Sequence, residues 1–173
     1  MKKTFIAFTL ASLFMASAVQ AKDYSAVVDI SGSVVGDHTE CAIFAESSVT
    51  LAGKIETLPA QGANATKPSQ LGYSIQPING NSSCVGKVEL QLHGNSDDSD
   101  GNTLKNDDAT DAGAKGVGIG LFDANFKPIN IKDNHITITD QPSFINLQMV
   151  KLTDQTPVEG NVHGSLTLEA VHL

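Results

Sequence analysis

The chain ends in the stretch GNVHGSLTLEAVHL, residues 160–173. Apolar and polar positions alternate along it with a period of two, which is typical of a β-strand with one buried face. The positions on the apolar face are Val162, Gly164, Leu166, Leu168 and Ala170. The pattern predicts a long strand from 162 to 173, with Gly160 ahead of it and His172 near its end.

The same period recurs through most of the chain, in short segments bounded by Gly, Pro, Asn, Asp or Ser. These segments are 24–35, 48–51, 73–77, 87–92, 117–121, 136–138 and 144–152. No segment shows the 3.6-residue period of an amphipathic helix. Many short strands with turns between them predict an all-β antiparallel sandwich. Residues 94–113 are rich in Asp, Asn and Gly, which predicts a long exposed loop.

Composition excludes some partners. The chain has 173 residues and a net charge of −8, and every basic residue is Lys, because the sequence contains no Arg. Without Arg there is no bidentate guanidinium for phosphate or guanine. The acidic balance also disfavours nucleic acid and anionic membrane surfaces. We therefore expect no nucleic-acid partner.

The first 21 residues predict a secretory signal peptide. Lys2 and Lys3 precede an apolar core at 5–15 that is too short to span a bilayer comfortably. Val19 and Ala21 place small residues three and one positions before the expected cleavage, which follows Ala21. The processed chain is therefore expected outside the cytoplasm, and no later stretch has 18 consecutive apolar residues.

The expected export predicts how the two cysteines are used. Cys41 and Cys84 are most simply one disulfide in an oxidising compartment. Closing a loop of this length stabilises a fold by about 4 kcal/mol in the chain-entropy treatment. A zinc site is disfavoured, because the two residues lack the paired spacing of metal ligands.

Catalytic motifs are missing from the sequence. The five His form no H-x-H or H-E-x-x-H pair, and neither G-x-S-x-G nor a P-loop occurs. The Gly-rich run 113–120 falls in a predicted strand, which indicates close backbone packing. The acidic stretch 97–101 resembles a calcium loop only weakly, since Ser96 and Asp107 would stand at its first and twelfth ligand positions. We expect no enzyme activity, cofactor or metal, and a solvated loop at 97–101.

The processed N-terminus carries its own alternating strand. Residues 22–31 place Tyr24, Ala26, Val28 and Ile30 on one face. A strand at a free terminus can complete its own sheet or add to the sheet of another chain. The residues alone leave both options open, with pairing inside the same molecule the simpler one.

The sequence as a whole resembles the pilin subunits of chaperone–usher fimbriae, the group that includes type 1 and P pili. Five elements occur in the family's order over essentially the whole processed chain. They are I-x-G-x-V-V at 30–35 with Cys41, G-Y-x-I-x-P at 72–77 with Cys84, G-V-G-I-x-L-x-D at 116–123, Pro128-Ile129, and Gly160 fourteen residues from the end. The sequence departs from the family at His172, where an aromatic residue is usual, and in a longer spacing from Gly32 to Cys41.

The resemblance implies an incomplete immunoglobulin-like sandwich that lacks one strand and is completed by a donor strand. A periplasmic chaperone would lend a strand along the C-terminal strand, and at the outer-membrane usher the next subunit's residues 22–31 would replace it. The implied organisation is a signal peptide at 1–21, a donor extension at 22–31 and a pilin domain at 32–173. The product would be an extracellular fimbria on the bacterial surface, built head-to-tail from identical or related subunits.

Within this reading a major shaft subunit is favoured, because residues 22–31 form a well-patterned donor strand. A minor or adapter subunit is the alternative inside the family. From another class, the alternative is a self-complete exported β-sandwich that binds a carbohydrate or calcium.

Overall fold

The computed structural model describes residues 40–78, 83–97 and 102–173, all within one unit, Gly36–Leu173. The predicted signal peptide and the donor residues Tyr24, Ala26, Val28 and Ile30 lie outside these residues. So does most of the acidic stretch considered for calcium. Within the described part, no helix is long and apolar enough to cross a membrane.

Eight strands and one 3₁₀ turn form the described part, which contains no α-helix. The strands are β1 Cys41–Ala45, β2 Ser69–Pro77, β3 Val88–Gly94, β4 Thr103–Leu104, β5 Val117–Phe122, β6 Ile136–Thr137, β7 Ser143–Lys151 and β8 Leu166–His172. The 3₁₀ turn is Ile55–Thr57. The prediction of an all-β chain of short strands is confirmed.

The strands form two sheets in which every strand pair is antiparallel. One has five strands in the order β1-β2-β7-β5-β4, and the other has three in the order β6-β3-β8. The main core lies between them. It combines the inward faces of β2, β3, β5 and β7, with Val88, Leu90 and Leu92 from β3. Burying each such side chain stabilises the fold by about 1.5–3 kcal/mol.

The predicted disulfide joins Cys41 and Cys84, whose Cα atoms lie 6.1 Å apart. Cys41 begins β1 in the larger sheet, and Cys84 precedes β3 in the smaller one. The bond therefore links the two sheets at one end of the sandwich, and Cys84 is buried there.

The glycines of β5 allow close packing, as predicted. A Cβ at Gly118 would lie 2.7 Å from the Leu104 carbonyl oxygen, and one at Gly120 would lie 2.7 Å from the Phe122 ring. A side chain at Gly118 would therefore push β4 away from β5, and one at Gly120 would displace the Phe122 ring.

Three expectations need correction. The segment 94–113 is not wholly exposed, because β4 pairs with β5 and buries Thr103 and Leu104. No strand is assigned over 48–51, since no described strand pairs with that segment. The regular part of the C-terminal strand begins at Leu166 rather than 162. Before Leu166 the chain makes isolated bridges instead of a continuous ladder, such as Gly113 with Asn161.

Candidate functional site: a groove along the C-terminal strand

Strand β8 lies at the edge of its sheet. Its seven residues pair with β3, from Leu166 opposite Gly94 to His172 opposite Val88. An antiparallel ladder uses the backbone groups of alternate residues, so the remaining N–H and C=O groups point to the opposite edge. Among the described strands, none pairs with that opposite edge. The edge can therefore template one more strand.

A groove runs along this edge. Its walls are the segment after β1, residues 46–53, and the segment that leads into β8, residues 160–168. The largest section has a volume of about 800 Å³. A second section of about 330 Å³ extends it toward Leu58 and Val158, and a deeper one of about 150 Å³ reaches Leu71 and Leu104. Neighbouring sections share lining residues, so they form one continuous channel.

The floor of the groove is apolar. It consists of Ile119 from β5 and of Leu147 and Met149 from β7. Val49 and Leu51 line one wall and contact the main core while remaining partly exposed. Partly exposed side chains at the margin of a core indicate apolar area that an added segment would bury.

The opposite wall continues this apolar lining. Val162, Leu166 and Leu168 pack against the core but are only half-buried. From 161 to 170 exposed and half-buried residues alternate strictly, with Gly164 on the inward side. This part of the chain therefore presents one apolar face to the groove, even where it is not a regular strand.

Asn106 holds this wall in place. Its amide nitrogen donates to the carbonyl oxygens of Ala114 at 2.9 Å and Asn161 at 3.0 Å. Its side-chain oxygen accepts from the backbone N–H of His163 at 2.9 Å and of Asp108 at 3.1 Å. All four hydrogen-bonding positions of the amide are thus used. One side chain fixes residues 161–163 to the segments on either side of Gly113.

Two glycines shape the same wall. A Cβ at Gly160 would lie 2.5 Å from both the Ala112 carbonyl oxygen and the Ala114 nitrogen, so only glycine permits this backbone approach. A Cβ at Gly164 would lie 3.0 Å from Cδ1 of Ile119. The absence of a side chain at Gly164 therefore leaves the floor of the groove accessible.

Polar residues such as Ser47, Thr50 and Ser165 also line the channel. Asp108, beside the Asn106 anchor, accepts from Thr110 through the hydroxyl at 2.6 Å and the backbone N–H at 3.0 Å. Both bonds lower the pKa of the Asp108 carboxyl, and the bond from the Thr110 hydroxyl has the larger effect. Over the residues described here, no group of three or more His, Cys, Asp or Glu is placed to hold a metal ion. The groove has an apolar floor and a mixed lining, so it suits an extended strand that is apolar on one face.

The structure brings part of the predicted C-terminal set together at the groove. Gly160, Val162, Gly164, Leu166 and Leu168 line it. Ala170 and His172 lie further along β8, opposite Leu90 and Val88. Ala170 is half-buried against the core and His172 is exposed.

Sequence reasoning missed the other wall and the anchor. Residues 46–53 contain only the short alternation Val49-Thr50-Leu51, which says nothing about what they face. Asn106 lies in a run of Asp and Asn that is indistinguishable from a solvated loop. Met149 continues the inward alternation of Ile145 and Leu147, so its inward direction was predictable but not its place on the groove floor.

Comparison with known proteins identifies the family. The family model described as "Fimbrial protein" matches residues 28–170. The chain belongs to this fimbrial protein family. The predicted family is thereby confirmed, and this fimbrial subunit is a structural protein rather than an enzyme.

Solved structures show the same fold. The P pilus rod subunit PapA is 16% identical, with a TM-score of 0.56 over 86% of this chain and 100% of that chain. A chaperone–usher pilus solved to explain rod uncoiling gives 18% identity and a TM-score of 0.52, over 86% of this chain and 96% of that one. A sequence search of curated proteins gives no significant match. The subunit thus has the fold of chaperone–usher pilins, whose place is in extracellular fimbriae polymerised from pilin subunits.

Proposed function

We propose that this fimbrial subunit polymerises by donor-strand exchange, with its groove accepting residues 22–31 of another subunit. The observation that carries the proposal is the edge of β8, with which none of the described strands pairs, beside a groove whose apolar wall residues are only partly buried. In this organisation residues 1–21 are removed as a signal peptide, and 32–173 form the pilin domain. The disulfide between Cys41 and Cys84 cross-links that domain.

The dimensions of the groove match this occupant. Its walls run from Val158 to Leu168, and an extended segment rises about 3.3 Å per residue, so about ten residues cover that length. The segment 22–31 has that length. Its side chains Tyr24, Val28 and Ile30 would each contribute about 1.5–3 kcal/mol on burial, with Ala26 at a tight position between them.

The same edge supports the partners of assembly. A periplasmic chaperone would occupy the groove along residues 160–172 before assembly, and an outer-membrane usher would exchange its strand for the next subunit's extension. The subunit would thus be exported through the periplasm to the bacterial surface. Because residues 22–31 alternate well, we assign it to the shaft as the major subunit, with a minor or adapter position as the alternative. Head-to-tail contacts of this kind propagate into helical filaments.

A matched pair of charge substitutions on β8 tests the proposal in cells. Leu168→Asp places a carboxylate on the groove face, where an unpaired buried charge is strongly unfavourable. Surface fimbriae should therefore be abolished, as counted by electron microscopy. The control Thr167→Asp carries the same charge on the exposed side of the adjacent residue, and it should assemble normally. Wild-type numbers of fimbriae from Leu168→Asp would contradict the proposal.

A peptide experiment addresses the donor directly. A synthetic peptide with the sequence of residues 22–31 should bind the chain and raise its unfolding temperature, whereas the same peptide with Val28→Asp should not. A chain that lacks residues 22–31 and is nevertheless a stable monomer, indifferent to the peptide, would favour the self-complete sandwich instead.

A further inference from the structure

Met149 occupies a particular place in the groove. It is one of four residues that line both the main section and the extension toward Leu58; the others are Gly53, Gly160 and Val162. It lies opposite Ile119 in the β5–β7 pairing and packs against the cluster of Leu58, Ala114 and Val117. Any strand that occupies the full groove must pass over this side chain.

Met149 is also chemically distinctive. The sequence has three methionines, and the other two, Met1 and Met15, belong to the predicted signal peptide. Both cysteines are tied up in the disulfide, so no free thiol competes for an oxidant. The side chain of Met149 is only half-buried and lines a cavity that admits small molecules. The processed chain thus has a single readily oxidised sulfur, at the floor of its binding groove.

We propose that Met149 is an oxidation site that controls the groove: a peroxide converts it to the sulfoxide while the groove is open, and the sulfoxide prevents uptake of a donor strand. This inference rests on the proposed function of the groove. The thioether sulfur attacks one peroxide oxygen, the O–O bond breaks and an S–O bond forms. Sulfur loses two electrons, and with hydrogen peroxide the other oxygen takes up the proton of the transferred hydroxyl and leaves as water.

The effect follows from the surroundings of the side chain. The sulfoxide is a polar acceptor, whereas Met149 packs against the apolar cluster of Leu58, Ala114 and Val117. A donor strand laid over it would bury the new oxygen without a hydrogen bond, which weakens binding by about 10-fold to 100-fold. A donor strand already in place would shield the sulfur, so assembled fimbriae should resist the reaction.

The first test measures uptake of a labelled peptide copying residues 22–31 by the full processed chain. The chain is oxidised with hydrogen peroxide while unfolded, with the disulfide intact, and mass spectrometry confirms the gain of one oxygen. After refolding, uptake should fall by about 10-fold or more relative to untreated chain, and methionine sulfoxide reductases should restore it. The control Met149→Leu keeps the apolar volume without sulfur, and its uptake should be unchanged by the same treatment.

The second test measures protection. Met149 should gain oxygen at least about 10-fold more slowly in assembled fimbriae than in donor-free chain. Equal uptake by oxidised and untreated chain, or equal oxidation rates in the two states, would overturn the inference and leave the proposed function intact. If untreated chain takes up no peptide at all, the proposed function is overturned, and this inference with it.

Discussion

Strands β3 and β8 are antiparallel neighbours with the same alternating pattern but very different burial. Leu92 lies opposite Leu168, and Leu90 lies opposite Ala170, on the same face of the sheet. Leu90 and Leu92 are 0% exposed, whereas Leu168 and Ala170 are only half-buried. The difference cannot come from residue type, since Leu faces Leu.

What differs is the number of neighbours. Strand β3 has β8 on one side and, on the other, β6 beside Leu90 and Asn134 beside Leu92, whereas β8 has β3 on one side and the groove on the other. Periodicity therefore predicts which side chains face inward, but the segments that flank a strand decide how completely those side chains are buried. Under the proposed donor-strand exchange, the half-buried face of β8 would be the part of the core that another chain completes.

The largest expected effect compares the paired leucines directly. Leu92→Ala should cost about 2–5 kcal/mol of unfolding free energy with or without the peptide of residues 22–31, because its cavity lies in a closed core. Leu168→Ala should cost less than about 1.5 kcal/mol without the peptide and clearly more with it, since the donor buries that side chain. Urea unfolding of each variant, with and without the peptide, gives the four changes in unfolding free energy. Equal costs for the two variants without peptide would remove the distinction between the strands.

Particular elements show how far sequence reasoning reaches. The inward face of 162–170 followed from alternation alone, and the disulfide followed from export and an even cysteine count. Strand β4 could not be predicted, because Thr103 and Leu104 are two residues in a polar segment. They pair with β5 and are approached closely there by Gly118, which is distant in sequence. The groove wall at 46–53 could not be predicted either, since a strand is recognised by its pairing and no described strand pairs there. Non-local neighbours decided each miss.

A middle-sized effect is expected at the anchor that leads into β8. Asn106→Ala removes four hydrogen bonds, and the partly buried ones are those to the Ala114 carbonyl oxygen and the Asp108 N–H, so we expect a cost of about 1–3 kcal/mol. Peptide uptake should slow as well, because the wall loses its fixed position. The control Asn95→Ala loses an exposed side-chain bond to Asp107 and should stay within about 0.5 kcal/mol of wild type. If both variants behave alike, Asn106 does not position the wall.

The smallest expected effect is a loss of peptide uptake at acidic pH. Hydrogen bonds from Thr110 hold the pKa of Asp108 below its usual 3.8, so the carboxylate form stabilises the folded turn. For a lowered pKa this contribution is fully present above the unfolded-state value and is lost as pH falls through the folded-state one. Peptide uptake should therefore weaken slightly below about pH 3.8, because Asp108 adjoins Asn106 and the wall. Asp108→Asn keeps an acceptor but cannot titrate, and its uptake should show less of this acid dependence than wild type. If peptide uptake depends on pH in the same way in wild type and in Asp108→Asn, the ionisation of Asp108 does not affect the groove. Any loss of uptake in acid would then come from other groups.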